Sequence, residues 1–115
     1  MDNRYLEEKL ETFDGNVKLK ELQKYVNDMI EIRGFSEETM QDLMLLLTEE
    51  IGELAKEIRK TTNIKMDVTK RKDVDVEGEI VDVFIYILSM CRCMNIDLVE
   101  AFKEKEKKNC KRKWE

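Results

Sequence analysis

From Met40 to Ile58 an apolar residue falls at every third or fourth position: Met40, Leu43, Met44, Leu47, Ile51, Leu54, Ala55 and Ile58. That spacing gathers them on one side of an α-helix and would scatter them over both faces of a strand. No proline interrupts this stripe or any other part of the 115 residues, and no stretch reads convincingly as a sheet. A chain patterned in this way is expected to be all-α.

The same reading places the other helices. A short N-terminal helical piece carries Leu6, Leu10 and Phe13 and stops at an Asp14-Gly15 turn. The first long helix runs from about Val17 to Arg33 on a stripe of Leu19, Leu22, Val26, Met29 and Ile30, with Gly34 as its C-terminal cap. The second begins after Ser36, taken as its N-cap, with Glu37 and Glu38 in the dipole-favoured first turn, and ends near Lys60. Residues 61–76 form a polar connection rich in lysine and aspartate, an exposed or partly mobile loop whose basic spot is Lys70-Arg71-Lys72. The third helix runs from about Val76 to Met94 and is apolar on most sides between Ile80 and Met90, so it is expected to be central or buried between subunits. Asp97 caps the fourth, with Glu100 completing a capping box. That helix is anchored by Leu98, Ala101 and Phe102 and continues to about Lys113. The predicted architecture is a single domain over residues 1–115, with residues 1–15 as an N-terminal extension. Its protomer is a four-helix bundle that oligomerises through the central helices, because so small a domain cannot easily cover the third helix.

Composition narrows the function. A formal net charge of -5 argues against nucleic-acid binding by bulk charge. Met1 to Tyr5 open no apolar signal segment, and the apolar run of the third helix is too short for a bilayer and is broken by Asp82. A cytoplasmic protein without membrane or nucleic-acid partners is expected. The three cysteines, Cys91, Cys93 and Cys110, are an odd number that suits a reducing compartment. Cys91 and Cys93 are two apart on a helix, point in different directions, and read as small core or interface residues. Histidine is absent altogether. That excludes the usual Ser-His and Cys-His catalysis and the Glu-x-x-His pairs of di-iron bundles. Any metal would be held by oxygen, which points to magnesium or manganese.

Two acidic signatures remain: Glu49-Glu50-Ile51-Gly52-Glu53 and Glu79-Ile80-Val81-Asp82. Glu50 and Glu53 are one helical turn apart, as are Glu79 and Asp82. If the second and third helices pack antiparallel, the two pairs can face each other. Such carboxylates repel when empty, and a divalent cation converts the repulsion into coordination. Glu49 and Glu57 extend the row, either as a solvated face or paired with Lys56 or Lys60. Asp82, in an apolar run, is costly unless a metal or a basic side chain meets it. Gly52 sits between Glu50 and Glu53 and Gly78 sits beside Glu79, and in a helix interior each costs about 1 kcal/mol relative to alanine. They mark either close helix approach and room for a substrate, or tight packing with no ligand.

Leu47-Thr48-Glu49-Glu50-Ile51-Gly52-Glu53-Leu54 followed by Glu79-Ile80-Val81-Asp82 resembles the MazG-like nucleotide pyrophosphohydrolases of the all-α NTP pyrophosphatase superfamily. The closing stretch is similar as well, with Asp97, Ala101, Lys105, Asn109 and Arg112 at about the family's spacing. The resemblance covers roughly Val17 to Trp114. It implies hydrolysis of a nucleoside triphosphate to the monophosphate and pyrophosphate. It implies Mg2+, with Mn2+ as an alternative, held by Glu50, Glu53, Glu79 and Asp82, and a homodimer or homotetramer with sites near subunit interfaces. The aromatic residues that some relatives stack on the base are not obvious beside the second helix.

The expected mechanism has one or two Mg2+ ions bridging the four carboxylates and the triphosphate and lowering the pKa of a bound water. By the resemblance, that water attacks the α-phosphorus. With no histidine, a glutamate, Glu50 or Glu49, is the expected general base. Lys105, Asn109 and Arg112 share one face of the last helix and are candidates for phosphate and sugar contacts, or else a solvated basic face. Trp114 either stacks on a base or covers an apolar edge. Rival readings are a non-catalytic Mg2+- and nucleotide-binding regulatory dimer, a purely structural helical module, and a dUTPase-like or phosphoribosyl-ATP hydrolase member of the same superfamily.

Overall fold

A computed structural model describes residues 1–115 as five α-helices with no strand: α1 (Asn3–Glu11), α2 (Leu19–Arg33), α3 (Met40–Arg59), α4 (Val76–Met94) and α5 (Leu98–Asn109), with a 3-10 turn over Val68–Lys70. The all-α expectation holds, and the N-terminal piece is a helix in its own right. No helix is long and apolar enough to cross a membrane. The chain divides into two compact units, Met1–Glu37 with Cys91–Glu115, and Glu38–Met90. The long helix α4 supplies residues to both.

In the first unit α1 lies on α2. Leu6 of α1, Val26, Met29 and Ile30 of α2 and Cys91 of α4 are its buried apolar residues, the i, i+3, i+4 stripe of α2 being the part that goes inside. The Phe13 and Tyr25 rings meet edge to face at 5.8 Å. The Tyr5 hydroxyl donates to Asp28 at 2.9 Å, and the Lys24 ammonium meets the same carboxylate at 3.0 Å. Burial pushes Asp28 up, but the hydrogen bonds from Lys24 and Tyr5 outweigh it and hold the carboxyl below its usual range. The α2 helix stops where Gly34 adopts φ +77°, a left-handed conformation that costs glycine nothing. The Asp14-Gly15 turn is closed by the Asp14 side chain, which accepts the Asn16 N–H at 2.7 Å. Gln23 joins α2 to the start of α5 through both ends of its amide: its Nε2 donates to the Ile96 carbonyl at 3.1 Å, and its Oε1 accepts the Leu98 N–H at 3.3 Å. Asp97 caps α5 by accepting the Glu100 N–H, the Glu100 side chain does not return the bond that would complete the expected capping box, and α5 ends at Asn109 rather than near Lys113.

The second unit is a hairpin of α3 and α4. The N-cap of α3 is Thr39, not Ser36: the Thr39 hydroxyl accepts the Asp42 N–H at 3.1 Å and the Asp42 carboxylate accepts the Thr39 N–H at 2.9 Å. Ser36 loses this position because a capping box needs an acidic or amide side chain three residues on, and Thr39 stands there instead. Glu37 and Glu38 therefore precede the helix. Leu43 of α3 and Leu88 of α4 are buried, Leu88 to 2% exposure.

The connection after α3 is not a loose loop. The Arg71 guanidinium donates to the carbonyls of Lys60, Thr62 and Ile64 at 3.2, 2.8 and 2.6 Å. Arg59 donates to the Lys65 carbonyl at 2.8 Å, and the Lys60 ammonium to the Lys72 carbonyl at 3.1 Å. Arg71 is thus committed to backbone and is not part of an open basic spot. The connection ends at Asp75, whose carboxylate accepts the Gly78 N–H at 2.9 Å and caps α4.

One expectation about α4 changes. Ile80 and Val81 are each 52% exposed, so one chain alone leaves part of the helix uncovered, in line with the expectation that so small a domain cannot cover it. Asp82 is exposed as well, not sunk among apolar neighbours. Its place in the sequence looked costly because the residues around it are apolar, yet their surface is left open beside it.

Candidate metal centre

The acidic signatures meet across the hairpin. Glu50 from α3 and Glu79 and Asp82 from α4 each place a carboxylate oxygen within 4.8 Å of the others. Glu50 and Glu79 are half-buried and Asp82 is exposed, so the group opens to solvent on one side. Helix periodicity explains the convergence, since Glu79 and Asp82 lie one turn apart on α4. Glu53 lies outside this trio, but its charge reaches Glu79. Glu49 is exposed on the neighbouring face of α3.

No lysine or arginine forms an ion pair with Glu50, Glu53, Glu79 or Asp82; the five ion pairs of the chain all lie elsewhere. The basic neighbour that might have neutralised Asp82 is not there. Glu79 carries the cost. Burial pushes its carboxyl above the usual range, and the charges of Asp82 and Glu50, a hydrogen bond to Glu50 and the charge of Glu53 push it further. Its Oε2 is buried with no hydrogen-bond partner. A buried acceptor without a donor is uncommon, and a proton, a water or a cation would satisfy it.

The donor set fits a hard divalent cation. All its atoms are carboxylate oxygens, the donors that a hard divalent cation prefers. The group could hold a metal.

One residue near the trio was not singled out from the sequence. Tyr86 lies one turn beyond Asp82 on α4. Burial raises its phenol above the ordinary value, and the charges of Glu50, Glu38, Asp82 and Glu49 add to the effect. Its spacing of four from Asp82 was the available signal. Glu57, four residues after Glu53, is buried to 7% exposure and is paired with Lys60 at 2.7 Å, one of the two partners considered for it.

Neither glycine marks a close approach of one helix to another. A Cβ on Gly52 would meet nothing within 4 Å, so no neighbouring backbone or side chain requires a glycine there. A Cβ on Gly78 would stand 2.2 Å from the Asp75 carboxylate, so Gly78 leaves room for the cap of its own helix.

Of the three candidates placed on one face of the last helix, Lys105 and Asn109 lie on α5 and Arg112 lies beyond its end, all in the other unit. Lys105 is exposed, the Asn109 amide donates to Glu106, and the Arg112 guanidinium stacks over the Trp114 ring at 4.6 Å. Trp114 remains 73% exposed.

An all-helical chain with a cation-ready carboxylate trio on a helical hairpin defines a class of acidic-site α-helical protein. The match to a family model narrows the class. The MazG nucleotide pyrophosphohydrolase domain model matches residues 38–114, two thirds of the chain, and the chain belongs to that family. The match begins where the hairpin unit begins and leaves α1 and α2 outside it. No curated protein and no solved structure matches the chain significantly.

Proposed function

We propose that this chain is a Mg2+-dependent nucleoside triphosphate pyrophosphohydrolase, converting a (d)NTP and water to the (d)NMP and pyrophosphate in nucleotide-pool house-cleaning. The observation that carries the reading is the unneutralised trio of Glu50, Glu79 and Asp82 with its unpartnered buried oxygen, in a chain of this family.

Glu50, Glu79 and Asp82 would hold the ion, with Glu53 beside them; Mn2+ has the same preference for oxygen. When bound, such an ion neutralises phosphate charge and makes water more acidic. The chain's own contribution is to orient water and take its proton. A water oxygen attacks the α-phosphorus, the bond from that phosphorus to the bridging oxygen breaks, and pyrophosphate leaves. Glu50 or Glu49 accepts the water proton, in the absence of any histidine to do so. Lys105, Asn109 and Arg112 are proposed to contact phosphates and sugar.

We also read the chain as a homodimer or homotetramer. Met44, Leu45, Ile51 and Ile58 on α3 and Ile80, Val81 and Ile87 on α4 are all exposed, Leu45 to 68%. Open apolar side chains gathered on one hairpin are what an interface between copies would cover, and they support this reading.

The test is pyrophosphate release from a panel of ordinary and modified (d)NTPs with Mg2+. Release that depends on Mg2+, with the nucleoside monophosphate as co-product, is expected. Nucleotide binding without turnover across the panel would instead favour a regulatory binding protein.

A further inference from the structure

The Glu57 carboxylate is the hub of a network at the closed end of the hairpin. One oxygen accepts the Asp75 N–H at 2.9 Å. The other meets the Lys60 ammonium at 2.7 Å, and that ammonium also donates to the Lys72 carbonyl at 3.1 Å. Asp75 in turn caps α4 through Gly78 at 2.9 Å. The hydrogen bond from Lys60, the Asp75 N–H and the nearby lysine charges together hold the Glu57 carboxyl below its usual range. One side chain of α3 therefore ties down the residue from which α4 starts.

The network shares a register with the acidic site. Four residues back along α3 from Glu57 stands Glu53, and four forward along α4 from Asp75 stands Glu79. Three further residues in each direction lead to Glu50 and Asp82. Steps of four and then three keep each row on one helix face. A slip of α4 by one residue would rotate its carboxylates by about 100° and carry them away from Glu50.

We infer that Glu57, with Lys60 and Asp75, is a clasp that sets the α3–α4 register and so positions Glu50, Glu79 and Asp82 for a divalent cation. The inference rests on the metal reading of that trio. Glu57 touches neither metal nor substrate; it is a positioning residue. Partners that orient ligands from outside a metal site typically govern about 10–100-fold in affinity, and that is the size of effect expected here.

The test uses the full chain and Mn2+ alone, with binding followed by calorimetry or by the electron paramagnetic resonance of free Mn2+. In Glu57→Ala the Mn2+ dissociation constant should rise about 10-fold or more. Amide exchange over residues 75–82 should speed up while exchange in α2 is unchanged. Lys60→Met should act in the same direction. Glu57→Gln keeps an oxygen for the Asp75 N–H and should recover part of the affinity, which keeps the inference testable if the alanine variant folds poorly. Wild-type Mn2+ affinity in both Glu57→Gln and Lys60→Met, or unchanged exchange over 75–82, would overturn the clasp. The metal reading fails separately: Asp82→Asn and Glu50→Gln binding Mn2+ as tightly as wild type would overturn it, and the clasp's role in metal binding with it.

Discussion

Glu50 and Glu79 face each other from opposite arms of one hairpin, close enough to hydrogen-bond when one is protonated, and no basic side chain pairs with either. The folded chain therefore holds a repulsion that charge neutralisation could remove.

Replacing Glu79 with glutamine should separate stability from binding. The folded-state pKa of Glu79 is raised, so the native state holds its proton to higher pH than the unfolded state does. The metal-free protein then loses stability as pH rises from the unfolded carboxyl value through the folded one. Glu79→Gln removes that loss. At pH 7 without metal the variant should melt above wild type, while Mg2+, which should raise the wild-type melting temperature, should leave the variant unmoved. Differential scanning fluorimetry with and without Mg2+ reads both.

Asp82→Asn should retain the fold, since Asp82 is exposed, and should lower kcat/KM for pyrophosphate release by about 100-fold or more, the scale seen when a group that stabilises developing charge is lost. Glu53→Gln should cost less, because Glu53 stands outside the trio. Equal losses in steady-state kinetics would make Glu53 a full partner.

The two glycines of the acidic signatures should respond in opposite directions. Gly52→Ala adds a methyl group to open space in a helix interior and should stabilise the chain by about 0.8–1 kcal/mol. Gly78→Ala forces the Asp75 carboxylate aside and should cost about 1 kcal/mol through the lost cap. Urea denaturation measures both; a destabilised Gly52→Ala would mean that assembly brings a neighbour against that site.

Tyr5→Phe deletes the hydroxyl that anchors α1 to Asp28 and should cost about 1 kcal/mol. Faster amide exchange confined to α1 and the facing turns of α2 would report the loosened anchor.

Leu45→Asp and Val81→Asp place charge on open apolar surface and should lower the sedimentation mass if the chain assembles through this hairpin. Assembly unchanged in both variants would move the interface elsewhere.

The helices were legible because their apolar stripes are local and periodic. The α3 stripe from Met40 to Ile58 fell within one residue of the helix, and Gly34 and Asp97 served as caps where the sequence placed them. Thr39-x-x-Asp42 was equally readable, but Ser36 offered a competing hydroxyl three residues earlier. The meeting of Glu50, Glu79 and Asp82 was foreseeable from one-turn spacing on adjacent helices. What the sequence hid were contacts over distance. Nothing local to Glu57 marks Asp75, eighteen positions away, as its partner. Nor does anything in Lys70-Arg71-Lys72 mark Arg71 as the one that turns inward. The exposure of Asp82 was missed because apolar neighbours in sequence were equated with burial.

The connection between α3 and α4 has one further consequence. Arg59, Lys60 and Arg71 hold it by main-chain carbonyls, and every residue type offers the same carbonyl. Most of its side chains are therefore free to drift without disturbing its path, provided those three cations and the Asp75 cap persist. A segment restrained in this manner is a place where surface chemistry can be rewritten cheaply while the carboxylates beyond it stay in place.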